Sequence, residues 1–299
     1  MTDTFSDAEE IHQLSFRGYD FACRVVPCEN PVTEPIVVLC AAFQNMHSYS
    51  RYDAYWKDIA TIIAVDPPGQ YSPTPVPREH GYGFDADALL YLLDEWQLPR
   101  VNLLGVSLGF SPAHRTAQLH PDRIARLVLA GAAEWEPAKR RRFGEIERAL
   151  AAREGEKFGQ LALELFSCGD PEPTIVHRQV INRALRGRLA SSTEPDMVRY
   201  EVMSQRAIDH PAYLPGRISG VPTLCLTGEH DDISSPHLAR ELASQIDDAT
   251  FTLLRDTCHL SFLQRGAEWA ETVRRFFTDQ PLDDLDFLTA LEHPAQAPA

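Results

Sequence analysis

Ser107 stands between two glycines, in Gly105-Val106-Ser107-Leu108-Gly109, directly after the apolar run VNLLGV at 101–106 and before a helical pattern at 108–119. A serine hydroxyl is a weak nucleophile at neutral pH and attacks a carbonyl only when a base takes its proton. A G-x-S-x-G stretch between a strand and a helix is the setting that lifts such a hydroxyl above a sheet, on a turn so tight that small residues must flank it. The N-terminus of the helix then favours the negative charge that develops during attack. Two further residues complete this chemistry. His259 follows the last strand-like run, in Thr257-Cys258-His259-Leu260, and neutral imidazole can accept the serine proton. Asp231 follows the preceding run, in Gly228-Glu229-His230-Asp231, and can orient the imidazole. The interval from 231 to 259 accommodates one helix and one strand.

The elements that must position these residues are legible as alternating patterns. IHQLSF (11–16) and YDFACRVV (19–26) around Gly18 predict an antiparallel hairpin. IVVLCAAF (36–43) and TIIAV (61–65) are continuous apolar runs, as in strands buried on both faces, with a helical stretch at about 50–60 between them. Pro67, Pro68, Pro73, Pro75 and Pro77 make 66–83 a loop. A helix is predicted at about 84–97, then the strand at 101–106, the helix at 108–119 and a strand at 125–131.

From 138 to 215 the alternation stops, and the chain is charged and helical in pattern. It resumes with PTLCLTG (222–228), a helix near 236–246, ATFTLLR (249–255) and a helix near 264–278. Such alternation predicts an α/β fold with a mostly parallel, doubly wound sheet. The core is expected at 1–137 and 216–280, with a helical cap inserted at 138–215. The acidic, then Pro/Ala-rich residues 281–299 are expected to be a flexible tail. Ser107, Asp231 and His259 would all lie at carboxyl ends of strands, where open α/β sheets place their sites.

The sequence resembles the α/β-hydrolase superfamily from about residue 11 to 278, through IVVLCAAFQ, VDPPGQYS, NLLGVSLGF, HPDRIARLVLAG, VPTLCLTGEHD and DTCHLSF in that order. The resemblance implies Ser107 as nucleophile, Asp231 as acid and His259 as base, in the chain order of that family. It places the acid three residues after Gly228, which favours Asp231 over Asp232. It also implies an oxyanion hole built from the backbone N–H groups of Leu108 and Phe43. The chain departs from the family at two points. Cys40-Ala41-Ala42-Phe43-Gln44 replaces the usual His-Gly, and Pro67-Pro68-Gly69-Gln70 replaces a glycine-rich turn.

Other residues carry alternatives. Glu134, after the strand ending at 130, is a second candidate acid or a polar loop residue. Gln44 could bond a substrate carbonyl or brace its own loop. His47, Tyr49 and Tyr52 could line a pocket or begin a surface helix. His230 and His237 read as structural or solvated, and Cys258 as a packing residue facing away from His259.

A net charge of −15 opposes binding to nucleic acid or to an anionic membrane surface. Six scattered cysteines (23, 28, 40, 168, 225, 258) form no CxxC and read as small core residues. The polar start MTDTFSDAEE is not a signal peptide, and no apolar run reaches the length of a membrane span, so a cytoplasmic location is expected. No metal-ligand spacing, G-x-G-x-x-G or P-loop occurs, so neither metal nor cofactor is expected.

The partner expected is a small-molecule substrate. The leading expectation is serine-dependent hydrolysis of an ester or thioester of a small, largely apolar acyl group through an acyl-enzyme. Acyl transfer or elimination in secondary metabolism with the same triad is the second, and a non-catalytic binding protein the third.

Overall fold

The computed structural model describes residues 9–70, 74–168 and 174–296. The expectation for the first eight residues, Pro73, residues 169–173 of the insertion and residues 297–299 of the tail lie outside the described residues.

β1 (Glu10–Phe16) and β2 (Tyr19–Val26) form the expected hairpin. Arg17 and Gly18 have φ of 51° and 85°, the left-handed pair that a two-residue hairpin turn requires. The chain continues through β3 (Ile36–Leu39), α1 (Asp53–Trp56), β4 (Ile62–Asp66), α2 (Tyr82–Glu95), β5 (Val101–Val106), α3 (Phe110–Leu119) and β6 (Ile124–Ala130). Four helices follow with no strand among their described residues: α4 (Pro137–Ala151), α5 (Gly155–Phe166), α6 (Arg178–Ala190) and α7 (Glu194–Asp209). The alternation then resumes with β7 (Thr223–Gly228), α8 (Pro236–Ala243), β8 (Ala249–Leu254), α9 (Ser261–Gln264) and α10 (Gly266–Phe277).

The eight strands form one sheet in the order β1-β2-β4-β3-β5-β6-β7-β8. β1, β2 and β4 pair antiparallel, and all pairs from β4 to β8 are parallel. Every residue of β3, β4, β5 and β7 is buried, which explains their unbroken apolar runs. Alternate side chains serve two cores. Ile36, Val38, Leu104 and Val106 pack on the side of α1, α10 and the inserted helices. Val37, Leu39, Val101 and Leu103 pack on the side of α2, α3 and α8.

Three expectations need correction. β3 ends at Leu39 rather than 43, because Cys40–Phe43 leave the sheet for a loop in which Phe43 takes a φ of 59°. Tyr49 and Tyr52 do stand at helix starts, before the turn at Ser50–Tyr52 and before α1, but their side chains neither line the pocket around Ser107 nor lie at the surface. Both are buried in an aromatic cluster with Trp56, Phe262 and Trp269, and the Tyr52 hydroxyl donates to the Phe262 carbonyl. The flexible tail is also corrected over its described part. Leu282, Leu285 and Leu288 are buried, and residues 288 and 292 bridge to Leu254 and Phe251. Glu292 receives a two-pronged bond from Arg240 at 2.6 and 2.9 Å. β8 is the last strand of the sheet, and this segment covers an edge that would otherwise expose unpaired backbone.

His114 on α3 provides a stability prediction. It is fully buried against Tyr213, with ring centroids 5.2 Å apart, and neither ring nitrogen has a hydrogen-bond partner among the described residues. Burial, and then the Arg115 charge, push its pKa down to about 4. The unfolded chain titrates at about 6.5. As the pH falls from about 6.5 to about 4, the unfolded state therefore binds a proton that the folded state refuses, and stability is lost. The full effect is roughly 3 kcal/mol. His114→Phe, which strands no hydrogen-bond partner, is expected to remove that part of the acid sensitivity. Urea unfolding of both proteins between pH 7 and 4 checks it, and equal slopes would refute it.

Candidate active site

Ser107 opens a short 3-10 turn, Ser107–Gly109, between β5 and α3, with a φ of 49°. A left-handed conformation at a non-glycine residue costs about 1–3 kcal/mol and persists only where its surroundings enforce it. The flanking glycines show what enforces it. A Cβ at Gly109 would lie 2.2 Å from the Leu39 carbonyl oxygen, and one at Gly105 would lie 2.7 Å from the Ala113 Cβ. The turn is therefore wedged between β3 and α3, and only hydrogen fits at 105 and 109.

The structure brings the three predicted side chains together. Ser107 Oγ is 2.8 Å from His259 Nε2, and His259 Nδ1 is 2.9 Å from Asp231 Oδ2 and 3.2 Å from Oδ1. All three are buried. Each stands just beyond a strand end: Ser107 after β5, Asp231 after β7 and His259 after β8. The acid and base loops interlock at Gly228, where a Cβ would lie 2.3 Å from the Cys258 carbonyl oxygen.

Asp231 is held on every side. Oδ1 accepts from the backbone N–H groups of Ile233 and Ser234 at 2.8 and 2.9 Å, and Oδ2 accepts from the Thr227 hydroxyl at 2.8 Å. Burial pushes its carboxyl pKa up. The His259 charge and hydrogen bond, together with Thr227 and Ser234, outweigh this and leave it below the usual carboxylate range. Asp232 is exposed.

Phe43 lines the same pocket as Ser107, and Leu108 directly follows Ser107. Phe43 is buried and, like Ser107, left-handed. The pocket is tight, with a cavity volume of about 20 Å³, well below the usual range for ligand sites. Its walls are mainly apolar and include Phe43, Phe166, Leu185, Leu189, Leu260 and Phe262. The Phe166 ring stacks on the His259 ring at 5.8 Å and 17°, so α5 of the insertion covers the imidazole.

The other candidates fall into place. Glu134 does not approach His259; it accepts from Arg140 and from the Ala212 backbone N–H, tying the ends of the insertion together. Gln44 lines the pocket, its carbonyl accepts from Gln70 at 2.8 Å, and its side-chain oxygen is buried without a partner among the described residues. His47 and His237 are exposed, and the His230 ring lies 3.7 Å from Glu229. The Cys258 thiol accepts from Gln264 at 3.1 Å.

Sequence reasoning missed the pocket residues of the insertion, among them Phe166, Leu185, Arg188 and Leu189, and the Thr227 and Ser234 contacts to Asp231. A helical periodicity at 178–190 marks an apolar stripe but not what the stripe covers. Thr227, by contrast, stands one residue before the glycine of the acid loop and was open to inspection.

A family model described as alpha/beta hydrolase fold matches residues 35–266. The chain is 28% identical over 256 residues to a pimeloyl-[acyl-carrier protein] methyl ester esterase of Chromobacterium violaceum, covering 79% of this chain and 93% of the relative. Among solved structures, an alpha/beta hydrolase enzyme from a Medee basin deep-sea metagenome library superposes with a TM-score of 0.77 at 17% identity, covering 91% of this chain and 99% of that one. An enol-lactonase from Burkholderia xenovorans superposes with a TM-score of 0.73 at 20% identity, covering 89% and 100%.

Proposed function

This chain belongs to the α/β-hydrolase fold family, and from that premise we propose that it is a serine hydrolase cleaving an ester or thioester of a small, largely apolar acyl group. The observation that carries the reading is the continuous relay Ser107 Oγ–His259 Nε2, His259 Nδ1–Asp231, with links of 2.8 and 2.9 Å in a buried pocket. In this reading Ser107 Oγ attacks the acyl carbonyl while its proton passes to His259 Nε2. Asp231 keeps the other proton on Nδ1 and stabilises the imidazolium. The Leu108 and Phe43 N–H groups receive the oxyanion, supported by the start of α3. His259 then protonates the leaving alcohol or thiol and activates the water that frees the acid from Ser107.

The narrow apolar pocket supports a small acyl group, and the esterase named among the relatives supports an ester. The six free cysteines support a reducing compartment, which we take to be the cytoplasm. No helix among the described residues is long and apolar enough to cross a membrane.

The test is a panel of aryl esters and thioesters of graded acyl length, each with and without alcohol, amine and thiol acceptors. Free acid released from short apolar donors, at a rate the acceptors leave unchanged, is the expected result. Acyl groups recovered on an acceptor in place of water would replace hydrolysis with acyl transfer. No acyl release from any donor would sink the reading.

A further inference from the structure

We propose that Arg188 is a positioning residue: by donating from α6 to the Phe43 carbonyl, it holds the oxyanion loop in its strained form, so that the donor side of the site is complete only when the inserted helices are seated. The proposal rests on the reading above, in which the Phe43 N–H is an oxyanion donor.

A bulky aromatic residue at a φ of 59° relaxes unless its surroundings forbid it. Within its own loop the bond that spans Phe43, from Gln44 N to the Ala41 carbonyl, is 3.3 Å long, and the next carbonyl, of Gln44, accepts from Gln70 at 2.8 Å. The downstream end of the loop is anchored to the core. Met46 N donates to Asp66 Oδ1 at 2.8 Å, and Arg24 Nε donates to the Met46 carbonyl at 3.2 Å.

The grip on Phe43 itself comes from the insertion. Its ring meets Phe158 of α5 and Tyr200 of α7 edge-on, each at 5.1 Å between centroids. Its carbonyl accepts from Arg188 Nη2 at 2.8 Å and from the Tyr200 hydroxyl at 3.4 Å. The first is a charge-assisted bond of ideal length, made across 145 residues of chain. Among the described residues Arg188 forms no ion pair with a carboxylate; its guanidinium is held by this carbonyl and by the Tyr200 hydroxyl, which itself reaches the same carbonyl.

The Phe43 carbonyl belongs to the peptide that follows the Phe43 N–H, and φ and ψ of this one residue relate the two groups. Fixing the carbonyl and the ring together leaves the N–H a single direction. An oxyanion donor acts on charge that appears only in the transition state. Loosening it must therefore lower kcat and leave substrate affinity nearly alone, whereas loss of a substrate contact would raise KM.

The experiment compares Arg188→Ala, Arg188→Lys and Tyr200→Phe with the unmodified enzyme. It measures kcat and KM on the best ester from the panel and the rate at which a fluorophosphonate labels Ser107. Removing an oxyanion donor outright lowers turnover by about 10²–10³, and loosening one costs less. Arg188→Ala is therefore expected to lower kcat and the labelling rate by about tenfold each, with KM changed less than about twofold. Tyr200→Phe, which keeps the ring contacts, should act in the same direction with a smaller effect.

Arg188→Lys should fall between Arg188→Ala and the unmodified enzyme, because an ammonium keeps the charge without the planar fork. An Arg188→Ala enzyme with a raised KM and normal kcat and labelling would make Arg188 a substrate contact and overturn the proposal. So would normal activity in both Arg188→Lys and Tyr200→Phe, which would leave only a direct effect of charge. An unmodified enzyme that fluorophosphonate does not label would remove the Ser107 reading itself, and this inference with it. A labelled enzyme whose Arg188→Ala variant is labelled equally fast overturns the inference alone.

Discussion

Ser107→Ala is expected to leave the fold intact and to lower turnover by about three orders of magnitude or more. The fold survives because the substitution removes a single atom. The conformation at 107 is imposed by the wedge of Gly105 and Gly109 between β3 and α3, not by the hydroxyl. Among the described residues the Oγ of Ser107 makes one hydrogen bond, the 2.8 Å bond to His259 Nε2. Its loss leaves a nitrogen that a water in the pocket can reach, so the change in stability should stay within about 1 kcal/mol. The chemistry does not survive, because no other hydroxyl or thiol takes its place. The Cys258 thiol is engaged by Gln264 of α9 and not by His259. Steady-state turnover and thermal unfolding of the purified variant check both halves, and a variant with near-native turnover would remove Ser107 from the mechanism.

Asp231→Asn is expected to lower turnover by roughly 10⁴, the scale seen when the acid of a triad loses its charge and leaves the base in the wrong tautomer. The surroundings of Asp231 specify how this happens. Two backbone N–H groups, of Ile233 and Ser234, point at Oδ1, so the asparagine must place its carbonyl oxygen there. Its amide NH₂ is then left on the side of Oδ2, facing Thr227 and His259 Nδ1. The hydroxyl of Thr227 can rotate to accept. Nδ1 can accept only by giving up its proton, which moves the imidazole proton to Nε2 and leaves Nε2 unable to take the proton of Ser107. The imidazolium also loses its compensating charge in a fully buried site.

Asp232→Asn should retain most activity, because Asp232 is exposed while its neighbour holds the ring. Turnover of the two variants on one substrate separates the assignments. A crippled Asp232→Asn beside a normal Asp231→Asn would shift the acid by one residue. Glu134 is not the fallback that its position after β6 suggested, since both of its oxygens are committed to Arg140 and the Ala212 N–H.

The sequence by itself determined the parallel sheet and the chain positions of Ser107, Asp231 and His259. These follow from short-range facts. A strand buried on both faces must be mainly apolar, and a sharp turn ending it must be flanked by glycine where backbone approaches, as at Gly105 and Gly109. A residue that directly follows such a strand is carried to the sheet's carboxyl edge whatever the rest of the chain does. What the tertiary structure decided is everything that depends on residues far apart in the chain. The apolar run at 36–43 reads as one strand, but its last four residues are drawn out of the sheet into the loop that carries Phe43. The acidic segment after 281 reads as loose, yet Leu282, Leu285 and Leu288 find a sheet edge to cover. Tyr49 and Tyr52 read as pocket residues or as the start of a surface helix, until Phe262 and Trp269, more than 200 residues away, join Trp56 around them. Arg188 carries no local mark, because its partner is a carbonyl 145 residues away. Periodicity records which face of an element is buried. It holds no record of which other element buries it, and in this chain that pairing shapes the pocket and places Arg188 on Phe43.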